Sequence, residues 1–408
     1  MNDSWIYNAV ADRLGGAQFE QHLGYKFERI KQAKRDFLAT HPQIKLLDFG
    51  IGEPLDVPPD AVVQTLQATC GLSKYNGYAD NGADFFKGSV QRYMQKTLGV
   101  ALDKSEILPI LGIKSGLTLL AGTLVNPGDW VAYTTPGYGV FATQTRYWGG
   151  NTYALPLTPE QQFLPDLEAI PEEIKRKIKI LSLNYPNNPT GSIATTAFYE
   201  RVVGMALHYH WIVLQDAAYT ALSFERTLSI LQIPRAKECC IELHSMSKGF
   251  NMTGWRLGWL CGNEVIIKAC GAYKNNCDSG QFLAIQKAAC AGLDDADTWL
   301  PQLRKRYQHR LEHLADILQK NNFHVYRPQA GFFLYAAVPQ SVSLRSNGST
   351  ISFKNAEDFS QWLLNELGIV VVPWDDCGAY VRFSVTFKNA DEISYFSELQ
   401  SRLSLFAF

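Results

Sequence analysis

No window of the 408-residue chain approaches the roughly 18 consecutive apolar residues of a membrane-spanning helix. The opening "MNDSWIYNAVADRLGG" also lacks the basic start and apolar run of a secretory leader, so a cytoplasmic protein is expected. Charge of one sign is missing too: 38 basic residues stand against 39 acidic ones, and no global field favours nucleic acid or an anionic membrane. Any bound anion must be gripped locally. The eight cysteines form no Cys-x-x-Cys spacing, and "KAACAG" reads as buried thiols rather than a disulfide framework or zinc site. Internal repeats and low-complexity linkers are absent. Two nucleotide motifs fail as well. "GIGEPL" has Gly50 and Gly52 but Leu55 where a dinucleotide fingerprint needs its third glycine, and "GIKSG" lacks the Gly-Lys pair of a phosphate-binding loop.

What is present is a core: 46% hydrophobic and 12% aromatic residues, at a length that suggests roughly two or three domains. Between about 105 and 290, apolar runs alternate with helical periodicity. "EILPIL", "WVAYTT", "KILSLNY", "WIVLQDA", "CIELHS" and "RLGWLCG" read as strands; "SGLTLLAGTL" and "FYERVVGMALHYH" read as helices. Strands apolar on both faces predict an α/β fold, a mostly parallel sheet covered by helices on both sides. After about 300 the pattern changes to a long charged helix, "PQLRKRYQHRLEHLADILQK", and a helix-strand-strand-helix tail. The expected division is a large domain over 61–295 and a smaller α/β domain over 296–408, completed by 1–60.

Several polar residues fall where strands should end. "LGIKSGLTLL" opens a helix after a strand, so backbone N–H groups near Ile113 and Lys114 can converge on an anion, although taken alone it reads first as an ordinary helix start. "SMSKGFNMTGWRLGW" adds the hydroxyls of Ser245 and Ser247 and the forked guanidinium of Arg256, the second half of a phosphate site. Lys248 between them is either a surface loop lysine or an amine whose pKa burial lowers until it can attack a carbonyl. A lysine beside a phosphate cradle suggests pyridoxal 5'-phosphate. Asp216 ends a strand buried on both faces, where a carboxylate needs a cation such as a protonated pyridine nitrogen; a turn acid or helix cap is the alternative. "NYPNNPTG" is turn-forming by composition, yet in an open α/β sheet it would bring Asn188 to the strand ends beside Asp216 and Lys248. Tyr138 and Tyr219 lie within reach of the same edge. Arg382 sits between Val381 and Phe383 on an apolar strand, and suits a planar carboxylate or a structural ion pair.

"NYPNNPTG", "DAAY" and "SMSKGFNMTGWRLGW", in this order and spacing, resemble the fold-type I pyridoxal-phosphate aminotransferases (class I/II), from "DFGIGEP" to "YVRFSV". The resemblance implies a mostly parallel seven-stranded sheet, with Lys248 bonded covalently to pyridoxal 5'-phosphate and shuttling the substrate proton. It implies that Asp216 pairs with the ring nitrogen, that Asn188 and Tyr219 bond the phenolic oxygen, and that Tyr138 stacks on the ring. Ser245, Ser247, Arg256, Ile113 and Lys114 would hold the phosphate, joined by Tyr78 from a neighbouring subunit of a homodimer. Arg382, beside Gly52 and Asn188, would clamp the substrate carboxylate.

Within that family, "KYNGYADNGADFFKGSV" and "NNCDSGQF" look most like the LL-diaminopimelate aminotransferases, and Tyr25 sits where that group lets the partner approach substrate. The implied reaction exchanges an amino group between LL-2,6-diaminopimelate and 2-oxoglutarate in two alternating half-reactions, serving synthesis of lysine and cell-wall precursors. Aminotransferases for aspartate, alanine or aromatic amino acids share the same residues, and a pyridoxal-phosphate lyase would keep Lys248 and Asp216. A transcription regulator on this fold would add a basic winged-helix segment of about 60 residues, which this near-neutral chain lacks.

Overall fold

A computed structural model describes residues 5–22, 26–225, 228–346 and 348–408. Its centre is a seven-stranded sheet built from β1 (Ile107–Ile110), β2 (Trp130–Thr135), β3 (Asn151–Pro156), β4 (Ile178–Asn184), β5 (Ile212–Asp216), β6 (Cys240–Ser245) and β7 (Gly258–Gly262). The spatial order is β1-β7-β6-β5-β4-β2-β3. Only β7 runs against its neighbours; β2 to β6 pair in parallel. The expected mostly parallel α/β architecture is what forms.

Alternation along each central strand explains the two-sided burial. In β5, Val213 packs into one apolar cluster with Trp211, Val202 and Leu181, while Leu214 packs into the other with Ile180, Ile241 and Leu120. Such strands cannot face water on either side, so helices must cover both. Helix α1 (Lys26–Thr40) packs instead on the later part of the chain, with Phe37 beside Leu364 and Val370; the covering helices include α2 (Asp60–Thr69), α3 (Asp84–Leu98), α4 (Ile113–Leu124), α5 (Thr196–Tyr209), α6 (Glu264–Lys274) and α7 (Leu283–Asp294). Edge strand β3 was not among the runs read as strands. Its residues are mostly part-exposed, with only Leu155 buried, so the apolar signal of a central strand is missing.

The chain then enters α8 (Ala296–Lys320), whose Leu300, Leu303, Tyr307, Leu311, Leu314 and Leu318 recur every three or four residues on its buried side. This helix begins five residues before Pro301, where the sequence pattern started it. A proline this near the N-terminus removes one hydrogen bond without ending the helix. It packs on a four-stranded antiparallel sheet of β8 (Val325–Tyr326), β9 (Phe333–Ala337), β10 (Val372–Trp374) and β11 (Tyr380–Ser384), in the order β10-β11-β9-β8. Helices α9 (Ala356–Leu367) and α10 (Glu392–Leu403) complete this part around a separate apolar cluster with Phe359, Phe383 and Leu399. Fully buried Arg310 of α8 ties it together: Nε donates to Glu392 Oε2 at 2.8 Å, and Nη1 to the Val385 and Phe387 carbonyls at 3.0 and 2.9 Å. Among the described residues, no helix is long and apolar enough to cross a membrane.

The early segment joins the same part. Leu47–Asp48 pairs in parallel with Ile369–Val370, and Ser384 N–H donates to the Phe49 carbonyl at 2.7 Å. Residues 50–53 consequently pass over the carboxyl ends of β4, β5 and β6, where a cavity of about 420 Å³ opens.

Candidate active site

Strand register gathers the polar residues. Asn184 ends β4 opposite Asp216 at the end of β5, and Ser245 ends β6 opposite Gly258. The Ser245 hydroxyl oxygen accepts the Ser247 N–H at 3.0 Å and caps a single helical turn, Met246–Gly249. That turn points Lys248 into the cavity rather than to the surface. Its Nζ donates to the Gly52 carbonyl at 2.7 Å. Burial lowers the amine's pKa to about 8, opposed by Glu53 and helped by the Arg382 and Arg256 charges. A substantial neutral fraction near physiological pH makes Lys248 a competent nucleophile and base.

Asp216 is the buried acid of the set, 6% exposed. One oxygen, Oδ1, accepts the Ala218 N–H at 3.1 Å. Burial nonetheless pushes the carboxyl up to about 7, against the opposing pull of that N–H, His244 and Lys248. Behind it, Asn184 Nδ2 donates to the Asp216 carbonyl at 3.0 Å, and Asn184 Oδ1 accepts the Asn188 N–H at 3.0 Å. Tyr219 is held edge-on between Phe332 and Phe333, with centroids at 5.5 and 5.6 Å, and burial raises its hydroxyl well above the usual phenol range.

An anion cradle forms where α4 begins. Gly112 precedes it at φ +80, and a Cβ there would lie 2.5 Å from Arg256 Nη2, so only glycine lets the guanidinium approach the helix start. Arg256 donates to the Thr253 and Leu111 carbonyls at 2.7 and 3.3 Å. Its remaining donors, the first N–H groups of α4 at Ile113 and Lys114, and the hydroxyls of Ser245 and Ser247 line one end of the cavity.

Opposite stands Arg382 of β11, 1% exposed. Nη1 donates to Asn188 Oδ1 at 3.0 Å and Nη2 to the Gly50 carbonyl at 3.1 Å, while the guanidinium lies 3.9 Å from the Phe333 ring centroid. The sequence leaves two readings for Arg382, carboxylate clamp or structural ion pair; its hydrogen bonds to Asn188 and the Gly50 carbonyl are compatible with the clamp. Gly52 lies beside it; a Cβ there would be 3.6 Å from Nη2.

The remaining expected residues divide. Tyr138 lines the cavity beside Asp216 and Lys114. Tyr78 does not: it is 84% exposed on the surface of its own chain. Tyr25 lies outside the described residues. Sequence reasoning missed Asn184, the first asparagine of "NYPNNPTG", whose place at the strand end was the available signal. It also passed over Thr253 in the cavity lining and the rim residues Glu53 and Lys31, for which no local pattern exists.

Residues 44–398 match the family model for aminotransferase class I and II. The chain belongs to this family and is a pyridoxal 5'-phosphate-dependent aminotransferase of fold type I. Among curated relatives it is 45% identical to the LL-diaminopimelate aminotransferase of Methanocaldococcus jannaschii, over 96% of this chain and 93% of that protein. It is 41% identical to the enzyme of the same name from Methanococcus maripaludis, over 95% and 92%. Among solved structures, substrate-bound BacF from Bacillus subtilis superposes with a TM-score of 0.84 at 29% identity, over 92% of this chain and 94% of that one.

The residues present fit the cofactor. The Asp216 carboxyl, pushed up to about 7 in protein surroundings alone, forms no ion pair among the described residues, and a protonated ring nitrogen would provide one. The Gly112–Arg256 cradle lies at the other end of the same cavity, and the Lys248 amine also faces into it.

Proposed function

We propose that this enzyme exchanges an amino group between LL-2,6-diaminopimelate and 2-oxoglutarate. The observation that carries the aminotransfer is the pairing, in one cavity, of a desolvated amine at Lys248 with the buried forked cation of Arg382. Likeness to the two archaeal relatives named for LL-diaminopimelate supports that substrate.

Each residue has a task in this reading. Arg382 turns its two Nη groups to the substrate α-carboxylate, fixing the α-carbon near Lys248. Pyridoxal 5'-phosphate, when bound, supplies a conjugated ring that takes up the electron pair left on the α-carbon as its proton departs. Asp216 would hold a proton on the ring nitrogen, which would keep that ring electron-poor. Asn188 and Tyr219 would donate to its phenolic oxygen, and Tyr138 would pack against the ring. Ser245, Ser247, Arg256 and the first N–H groups of α4, at Ile113 and Lys114, hold the phosphate. Lys248 Nζ would hold the cofactor covalently, and its amine would take the proton from the substrate α-carbon and give it back to complete the transfer. Gly52, whose carbonyl holds that amine, lies beside the carboxylate.

We extend the reading to a cytoplasmic homodimer whose smaller domain, 1–60 with 296–408, closes on 61–295. Tyr78 is exposed, as are Phe85 and Phe282, on segments joined by the Ala83 N–H to Gln286 Oε1 bond of 3.0 Å. A second copy covering this surface would receive Tyr78 at its phosphate cradle. The test is glutamate formation from 2-oxoglutarate with LL-diaminopimelate, against aspartate, alanine and phenylalanine as donors, with particle mass by light scattering. A preference for LL-diaminopimelate in a dimer supports the proposal; a faster reaction with phenylalanine would reassign the pocket to aromatic donors, which Phe333 and Trp374 beside Arg382 also suit.

A further inference from the structure

Tyr78 needs a rigid mount if it is to act on a neighbouring subunit, because an exposed side chain on a loose loop loses its ordering entropy at every encounter. The loop that carries it is clamped from behind. The N–H groups of Ala79 and Asp80 both donate to the Ser279 carbonyl, at 3.2 and 3.0 Å. Asp80 holds a left-handed conformation, φ +44. Gly280 makes this approach possible: a Cβ there would lie 2.5 Å from the Asp80 carbonyl oxygen.

A fully buried cation sits behind the contact. Lys274, the last residue of α6, is 0% exposed. Its ammonium pairs with Asp278 and donates to the Asp80 carbonyl at 3.2 Å. Asp278 Oδ1 also accepts the Gly280 N–H at 2.8 Å. One ammonium and one carboxylate thus fix both the loop before α3 and the loop after α6. Burying a charge costs several kcal/mol unless it is paired, and the small local turn alone has no need of one. Neither residue lines the cavity of its own chain.

We propose that Lys274 and Asp278 are positioning residues that hold Tyr78 in register with the cofactor phosphate of the partner subunit. The inference rests on the assignment of Tyr78 to that phosphate. Its signature is selective: pyridoxal 5'-phosphate carries the phosphate and pyridoxal does not, so a loosened Tyr78 weakens the first ligand and spares the second.

Cofactor-free full-length protein is titrated with each ligand by fluorescence, in Tyr78→Phe, Lys274→Met, Asp278→Asn and the Tyr78→Phe/Lys274→Met pair, with particle mass checked by light scattering. The expected result is a fall of roughly tenfold in the preference for pyridoxal 5'-phosphate in each single variant, the loss of one hydrogen bond to a charged group. The pair should fall no further than Tyr78→Phe alone, at unchanged particle mass. Equal weakening of both ligands in Lys274→Met, or an additive pair, overturns the inference, because a general softening would do that. If Tyr78→Phe lowers the preference while Lys274→Met and Asp278→Asn do not, the inference falls and the Tyr78 assignment stands. If Tyr78→Phe leaves the preference unchanged, both fall. Asp278→Asn preserves shape and carries the same expectation should Lys274→Met fail to fold.

Discussion

Arg382 Nη1 donates to Asn188 Oδ1 at 3.0 Å, across a separation of 194 residues. The guanidinium on β11 and the loop after β4 thereby share one hydrogen bond at the point where the two parts of the chain meet over the cavity. Arg382 is held in place by this bond and by the Gly50 carbonyl, and its fork is oriented before any carboxylate arrives.

Replacing Arg382 by lysine keeps one positive charge and loses the fork. The expected effect on kcat/KM for the amino donor is a loss of about 1.5–3 kcal/mol, roughly ten- to a hundredfold, carried mostly by KM. Steady-state kinetics with donor varied reads it; an unchanged KM would remove Arg382 from carboxylate binding.

The Lys248 amine should titrate near pH 8 in the cofactor-free protein, because burial lowers it from 10.5. Reductive labelling by a small aldehyde, followed by mass spectrometry, should therefore rise with pH to a plateau above about 8 at this site. A midpoint near that of ordinary surface lysines would mean that the cavity does not desolvate the amine.

Asp216 has the opposite sign. Its folded-state pKa, about 7, lies above the 3.8 of an ordinary aspartate, so the folded protein holds this proton more tightly than the unfolded chain. The contribution to stability is full below about pH 4 and is lost as pH rises to about 7. Asp216→Asn should consequently stabilise the cofactor-free protein at pH 8 more than at pH 5, by melting temperature, and should slow aminotransfer by the loaded enzyme about a hundredfold or more. Equal melting shifts at both pH values would contradict the assignment.

Gly112→Ala forces a side chain into a backbone conformation, φ +80 and ψ 164, that essentially only glycine adopts, at a cost of roughly 1–3 kcal/mol, and directs its Cβ at Arg256. A lower melting temperature and weaker cofactor retention on dialysis are expected together. Normal retention would separate this cradle from the phosphate.

Central strands were legible because burial on both faces leaves continuous apolar runs, and Asp216 and Lys248 stood out as polar residues at their ends. The edge strand β3 and helices such as α2, α6 and α7 carried no comparable motif, and tertiary packing decides them. Composition alone does not say which of the three asparagines of "NYPNNPTG" lines the cavity; Asn184 and Asn188 do, and Asn187 does not. The Arg382–Asn188 bond and the Lys274–Asp278 pair behind Tyr78 depend on chain crossings that no local periodicity records.

The central claim is that this cavity moves an amino group from LL-diaminopimelate. Mixing the cofactor-loaded enzyme with LL-diaminopimelate alone, without an oxo acid, and following the visible cofactor band in a rapid-mixing spectrometer tests it directly. The account predicts fast conversion to the pyridoxamine form with LL-diaminopimelate and with glutamate, and restoration of the band by 2-oxoglutarate. Faster conversion by aspartate, alanine or phenylalanine than by LL-diaminopimelate would contradict it.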